Sequence, residues 1–203
     1  MRVLRIKNEE CTQWLLHKHY ARRLPSISFA FGLYEGNILT GIVTYGMPAS
    51  PFLCIGVCGK QNKDHVIELN RLCVDSKTKN ATSFLVSNSL QMLPKPSIVV
   101  SYADTAQNHV GYIYQACNFL FTGTTKERTD MAGNDGAHSR HNKGDRENRI
   151  NRSAKHRYVF FVGSKTQKQK LKKDLMYEVL DYPKGKTERY DASAKVEIQQ
   201  LLF

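Results

Sequence analysis

Two periods of apolar residues alternate along this chain of 203 residues. "NEECTQWLLHKHY" has helical spacing: Asn8 can cap it, Glu9 and Glu10 suit its positive end, and Pro25 blocks its continuation. "ISFAFGLYEGNILTGIVTYG" predicts two strands joined around Gly36-Asn37, a hairpin signal. The apolar runs "FLCIGVC" and "VIELNRLCV" predict two more strands. In "DSKTKNATSFLVSNSLQML" a polar loop runs into a helix, with Leu85, Val86, Ser89, Leu90 and Leu93 on one face and Thr78, Asn80 or Thr82 as its cap. "SIVVSYA" predicts a strand, followed by a helix through Tyr114. "RYVFFVG" predicts a late strand, and "TQKQKLKKDLMYEVLDY" a basic amphipathic helix with Leu171, Leu175, Met176 and Val179 as its stripe and Pro183 as its stop. This order predicts one α/β (α+β) domain over residues 1–203, a central mixed sheet flanked by helices, with a helical extension over 165–203.

Between the last two strands the pattern fails. Residues 124–157 hold almost no large apolar side chain, with nine Lys or Arg against five acids, and such a stretch cannot build a core of its own. It reads as a basic insertion between core elements, of the length usually given to function or disorder.

Composition adds one strong constraint. The formal charge is +12, which attracts phosphate polyanions, whether nucleic acid or the diphosphate of a CoA. No apolar run approaches the ~20 residues of a membrane span, and "MRVLRIKNEEC" lacks a signal peptide's apolar core, so the expected location is the cytoplasm. Cys11, Cys54, Cys58, Cys73 and Cys117 sit in apolar segments and read as reduced core residues rather than zinc ligands.

Candidate chemistry gathers after the middle strands. The loop from Asp75 to Thr82 precedes a helix whose first N–H groups are unpaired, and Lys77 and Lys79 add positive charge, so an anion suits it. Arg71, in an apolar strand, must face a partner: a phosphate, Asp104 or a structural ion pair. Asp104, where a strand ends, either meets a substrate amine or caps the next helix. Tyr45 and Ser101 are weaker candidates from the same inward side. On a helix counted from Ala106 at about 100° per residue, Tyr114 falls near ~80°, at the margin of the buried stripe, and His109 near ~−60°, off it. His17 and His19 would point apart on a helix and cannot share a metal, while His19 and Tyr20 can face the site from the helix end.

Strand, polar loop at a helix start, strand, and a helix ending "IYQACNF" resemble the GNAT acyltransferase superfamily. "HYARRLPS", "FGLYEGNILTGIVTYGMPAS", "ELNRLCVD", "SYADTAQNHVGYIYQACNF" and "RSAKHRYVFFVG", within residues 17–163, resemble more narrowly the phage Mom proteins, a GNAT-like family. The resemblance implies an enzyme that converts adenine N6 in double-stranded phage DNA to a carbamoylmethyl derivative, protecting it from host restriction. It implies acetyl-CoA or another acyl-CoA held by Lys77, Lys79, Asn80 and Thr82, with Lys77, Asn80 and Thr82 standing where the superfamily has Arg or Gln, Gly and Gly. Tyr114 matches the general acid toward the departing thiolate, with Asp104, Arg71, Tyr45 and Ser101 around the reacting centre. Arg140, His141, Arg149 and Arg152 of the insertion, with Lys155, His156, Arg157 and also His19, would meet the DNA. Ligand spacing does not support a metal.

The implied product raises a chemical difficulty, because an amine attacking a thioester gives an amide, whereas a carbamoylmethyl group is joined through its CH₂. A different acyl donor, a metal or radical step, or a second small molecule supplying nitrogen each remain open. Two other readings also stand: a conventional acyltransferase acting on protein or RNA amines, and a noncatalytic DNA-binding protein on an acyltransferase scaffold.

Overall fold

The Gly36-Asn37 turn, with Gly36 at φ +59°, joins β2 (Phe29–Glu35) to β3 (Ile38–Gly46), and β1 (Arg2–Arg5) pairs with the outer edge of β2. The computed structural model describes residues 1–131 and 149–185. β4 (Val66–Val74), β5 (Ser97–Asp104), β6 (Leu120–Thr124) and a late strand, β9 (Lys155–Val162), complete a seven-stranded sheet in the order β1-β2-β3-β4-β5-β9-β6. Only β4 and β5 are parallel neighbours. The basic insertion leaves the sheet between β6 and β9 as an antiparallel ribbon of β7 (Arg128–Met131) and β8 (Arg149–Arg152).

Alternation along the strands gives the sheet two apolar faces. Phe31, Val43, Leu69 and Val99 point to the face covered by α3 (Ala81–Gln91) and α4 (Tyr112–Ala116). All five residues expected on the apolar stripe of α3 are buried. On the opposite face Ala30, Ile42 and Cys73 meet α1 (Asn8–Gln13), and Val66, Ile98, Val100 and Val159 meet α2 (Pro51–Cys58) and α5 (Lys165–Lys173). The two packed patches on this second face leave β4 between them.

The parallel pairing is short. β4 and β5 are bonded only from Val66↔Ile98 to Leu69↔Ser101, after which β4 follows β3 and β5 follows β9. A bulge starts where they part: Thr44 faces Arg71 but Tyr45 faces Leu69, so Asn70 is an extra residue on β4. Its amide accepts from Thr44 Oγ1 at 2.6 Å and donates to the Ser26 carbonyl at 2.8 Å. The extra residue shifts the alternation, so Glu68 and Arg71, three apart, both point to the second face.

Four expectations are corrected. "FLCIGVC" lies in helix α2, with Pro51 in its first turn, because a short apolar run is equally a helix buried on one side. Lys7, not Asn8, is the cap position of α1, whose end continues as a π-helical turn, Trp14–Lys18. The chain after β5 makes a 3₁₀ turn (Thr105–Gln107) and passes two left-handed residues, Asn108 and Gly111, so α4 is short and counting its faces from Ala106 does not apply. α5 ends at Lys173; Leu175 still packs on the core, but Met176 and Val179 are exposed. The segment after it is instead tied by its backbone, Met176 N–H to Val57 O and Leu180 N–H to Phe121 O, both 2.9 Å. Among the described residues no helix is long and apolar enough to cross a membrane.

Asn70→Ala strips a buried threonine of its partner and frees the bulge; it should cost about 2 kcal/mol of stability, read as a lower urea midpoint.

Candidate active site

The parting of β4 and β5 leaves a cavity of about 1070 Å³ lined by residues of both faces. It is therefore a passage through the sheet, with a mouth on each side.

On the first face, the loop from Lys77 to Thr82 and the start of α3 form one wall. The loop is held from behind: Asp75 bonds Lys18 Nζ at 2.5 Å, and Ser76 Oγ donates to Glu35 at 2.7 Å while accepting from the Thr78 N–H at 3.0 Å. Asn80 takes the left-handed conformation, φ +63°, that a glycine would supply, and asparagine is among the residues that tolerate it best. Thr82 lies within the helix, where no glycine is needed. Thr82 and Ser83 front the cavity in the first helical turn, where N–H groups have no intrahelical partner. With Lys77 and Lys79 beside them, this wall is positively charged.

Tyr114 of α4 reaches the same passage, its ring against Phe119 at 5.4 Å and Tyr158 at 5.3 Å. α4 is placed by Gly111, whose φ of +77° and contact with the Tyr158 ring leave no room for a Cβ. Burial pushes the Tyr114 hydroxyl well above the usual phenol range, only partly offset by the nearby Ser101 hydroxyl. It stays protonated. Ser101 is buried at the last β4–β5 pair and donates to the Leu69 carbonyl at 3.1 Å.

The second face carries a different chemistry. Glu68 and Arg71 line the cavity from β4, Leu53 from α2 and Tyr102 from β5. Burial raises the Glu68 carboxyl above the ordinary range, and the Arg71 and Lys155 charges partly oppose that. Arg71 donates to the Asn70 carbonyl at 2.6 Å, while its buried Nε has no hydrogen-bond partner. His19 stacks on Tyr20 at 4.5 Å, and Tyr20 meets His109 edge-on at 6.2 Å; all three rings line the cavity. Burial, then Arg71 and His109, push His19 down to about 3, so its ring is neutral. Nδ1 accepts from the Ala21 N–H at 3.0 Å, which leaves the proton on Nε2.

The sequence candidates divide sharply. Arg71, Tyr114, Lys77, Lys79, Asn80, Thr82, His19, Arg152 and Lys155 line one cavity. Asp104 lies behind Lys155, bonded to its Nζ at 3.1 Å, to Ser153 Oγ at 2.5 Å and to the Ala106 N–H at 3.1 Å. Burial opposes its ionisation, but these partners outweigh that and hold it below the usual carboxylate range. It caps the turn and anchors the foot of the insertion, so of the alternative partners open to Arg71, Asp104 is not the one taken. Tyr45 is a core residue, fully buried with its hydroxyl 2.6 Å from Ser89. Arg157 is spent on the second face, stacked on Tyr177 at 3.5 Å and bonded to Thr122, and His156 bonds Thr124 at 2.8 Å, so neither lines the cavity. Arg149 is a residue of β8. Arg140 and His141 lie outside the described residues.

Glu68 escaped the sequence reading. A carboxylate between Ile67 and Leu69 in an apolar strand was a signal of the same kind as Arg71, but simple alternation puts the two on opposite faces, and only the bulge unites them. All five cysteines are buried and free, and no group of His, Cys, Asp and Glu among the described residues could hold a metal.

Comparison with known proteins follows the same outline. The profile of the Mom protein family matches residues 1–184. The chain is 26% identical over 208 residues to the methylcarbamoylase Mom of Escherichia phage Mu, covering 89% of this chain and 84% of that protein. Similar solved structures include a putative acetyltransferase from Salmonella typhimurium with its cofactor acetyl-CoA (10% identity, 81% of this chain and 95% of that one, TM-score 0.49). A Bacillus subtilis acetyltransferase in complex with CoA is another (13% identity, 79% and 97%, TM-score 0.46).

His19 gives a pH test. Unfolded, it binds a proton near its ordinary 6.5, which the folded site refuses down to about 3, so stability should fall as pH drops through that window. The slope from this residue approaches about 1.4 kcal/mol per pH unit, and His19→Gln should flatten urea melts taken between pH 6 and pH 4 by that share.

Proposed function

Because the chain belongs to the Mom protein family, we propose that it is a transferase that modifies adenine at N6 in double-stranded DNA, a modification that shields phage DNA from restriction. The observation that supports this most is the passage through the sheet. It joins a wall suited to a diphosphate on one face to a basic, aromatic mouth on the other.

An acyl-CoA fits the first mouth. Lys77, Lys79 and the first-turn N–H groups of Thr82 and Ser83 would hold its diphosphate. When bound, it supplies an activated acyl group. Asn80, already left-handed, lets the loop backbone approach a ligand as the superfamily's glycine does.

The second mouth suits a purine turned out of its duplex. Base chemistry requires such extrusion, and planar rings replace the lost stacking; His19, Tyr20 and His109 supply them. The Nε2–H of neutral His19 is a donor for a ring nitrogen. Glu68 takes the proton that N6 sheds as its new bond forms, since its raised carboxyl is a stronger base than an ordinary one. Tyr114, held protonated, gives a proton to the leaving group. Asp104 is a positioning residue, orienting Lys155 and the foot of the insertion. Arg23, Arg128 and Arg152, which line the cavity, suit backbone phosphates.

Acetyl on N6 and carbamoylmethyl on N6 differ in mass, so the product nucleoside reports which is made. Co-expression with a plasmid, followed by digestion to nucleosides and mass spectrometry, should show modified adenosine; adenosine of ordinary mass throughout refutes the reading. Acyl incorporation into protein or RNA and none into DNA would establish conventional acyl transfer instead.

Glu68→Gln and Tyr114→Phe should each lower the modified fraction about 100-fold or more. Activity should be lost as pH falls through the raised Glu68 pKa, because the carboxylate is the working form, and Glu68→Gln should abolish that limb. Lys77→Glu with Lys79→Glu should weaken acyl-CoA binding about tenfold by calorimetry.

A further inference from the structure

Helix α2, "PFLCIGVC", has no charged residue and is apolar on every side, a composition expected of a fully buried helix. Cys54, Val57 and Cys58 face the sheet. Phe52 and Ile55, three apart and so on one helical face, do not: Phe52 is 84% exposed and Ile55 39%. Leaving a phenyl ring in water forgoes the gain its burial would bring, so the strip lacks a partner.

The place of the ring indicates that partner. Its chain neighbours Ala49, Ser50 and Leu53 line the cavity, which puts the helix end that carries Phe52 at the edge of the second mouth. The same mouth is lined by Arg23, Arg71, Arg128, Arg152 and Lys155, and the chain carries a net +12. An aromatic ring rising from a basic rim matches a polyanion with stackable faces, and a strip of two side chains is too small a patch for a lipid surface.

Resting on the reading of a base-modifying enzyme, we propose that Phe52 is a wedge that enters the base stack of double-stranded DNA and fills the slot vacated by the base turned into the cavity. Extruding a base from a duplex costs its stacking and pairing, and an inserted apolar side chain restores part of the stacking. A single strand, or an adenine opposite an abasic site, presents less to break.

The test compares wild type with Phe52→Ala on three oligonucleotides of one length at fixed salt: a paired duplex, the same duplex with the adenine opposite an abasic site, and the single strand. Fluorescence anisotropy should show the variant binding the paired duplex about tenfold more weakly, with the other two within about twofold. With 2-aminopurine replacing the adenine, emission should rise when wild type binds the duplex and stay low with Phe52→Ala, while Phe52→Trp restores the rise. Equal weakening on all three substrates, or no weakening on the duplex, overturns the wedge. So does a change in oligomeric state on gel filtration, which would assign the strip to a contact between copies. Emission that rises with wild type while plasmid adenosine keeps its ordinary mass would sink the modification reading and leave the wedge standing.

Discussion

Everything proposed for this protein depends on two parallel strands that stop bonding to each other. β4 and β5 share hydrogen bonds only as far as Leu69 and Ser101, yet each continues along its other neighbour. The sheet therefore opens without losing either strand. The inner edges of Asn70–Val74 and Tyr102–Asp104 have no strand partner, and backbone N–H and C=O groups in such a position ask for a ligand. The opening also connects the two faces of the sheet, so that α3 and α4 border one side of the cavity while α2 and the end of the α1 segment border the other.

The bulge at Asn70 converts that opening into a site. Without the extra residue, Glu68 and Arg71 would lie on opposite faces; with it, a carboxylate and a guanidinium face the same mouth. Their charges are then graded by what surrounds them. Asp104 is held ionised by Ser153 and Lys155, while Glu68 is raised by burial. Two carboxyls of nearly equal intrinsic acidity are driven apart by environment, one held charged by its partners and the other pushed toward its neutral form by burial.

The insertion and the strap that follows α5 (residues 174–180) complete this arrangement from outside the sheet. Ser153 and Lys155 tie the foot of the β7–β8 ribbon to Asp104, which brings Arg128 and Arg152 to the cavity. The strap pins α2 through Val57 and β6 through Phe121. The rim that carries Phe52 is thus braced from behind.

Periodicity alone settled the hairpin, β4, the buried stripe of α3, β5 and β9, because long runs with one period have one low-energy outcome. Charge, helix-end position and resemblance singled out the loop before α3, Arg71, His19 and Tyr114, and all of these line the cavity. Short apolar runs were decided otherwise: "FLCIGVC" carries no period that separates strand from helix, and only the packing of Cys54, Val57 and Cys58 on β4 and β5 made it α2. Arg157 reads as a surface cation in the sequence, but a side chain's partner is chosen by strands far away in the chain, here Tyr177 and Thr122. That Glu68 and Arg71 face one mouth was likewise invisible, since a bulge is a mismatch in register between two strands and has no signature in either. The sequence by itself determined which residue types and charges this protein can bring to a ligand; the tertiary structure decided which of them share a cavity, because that depends on where two strands part.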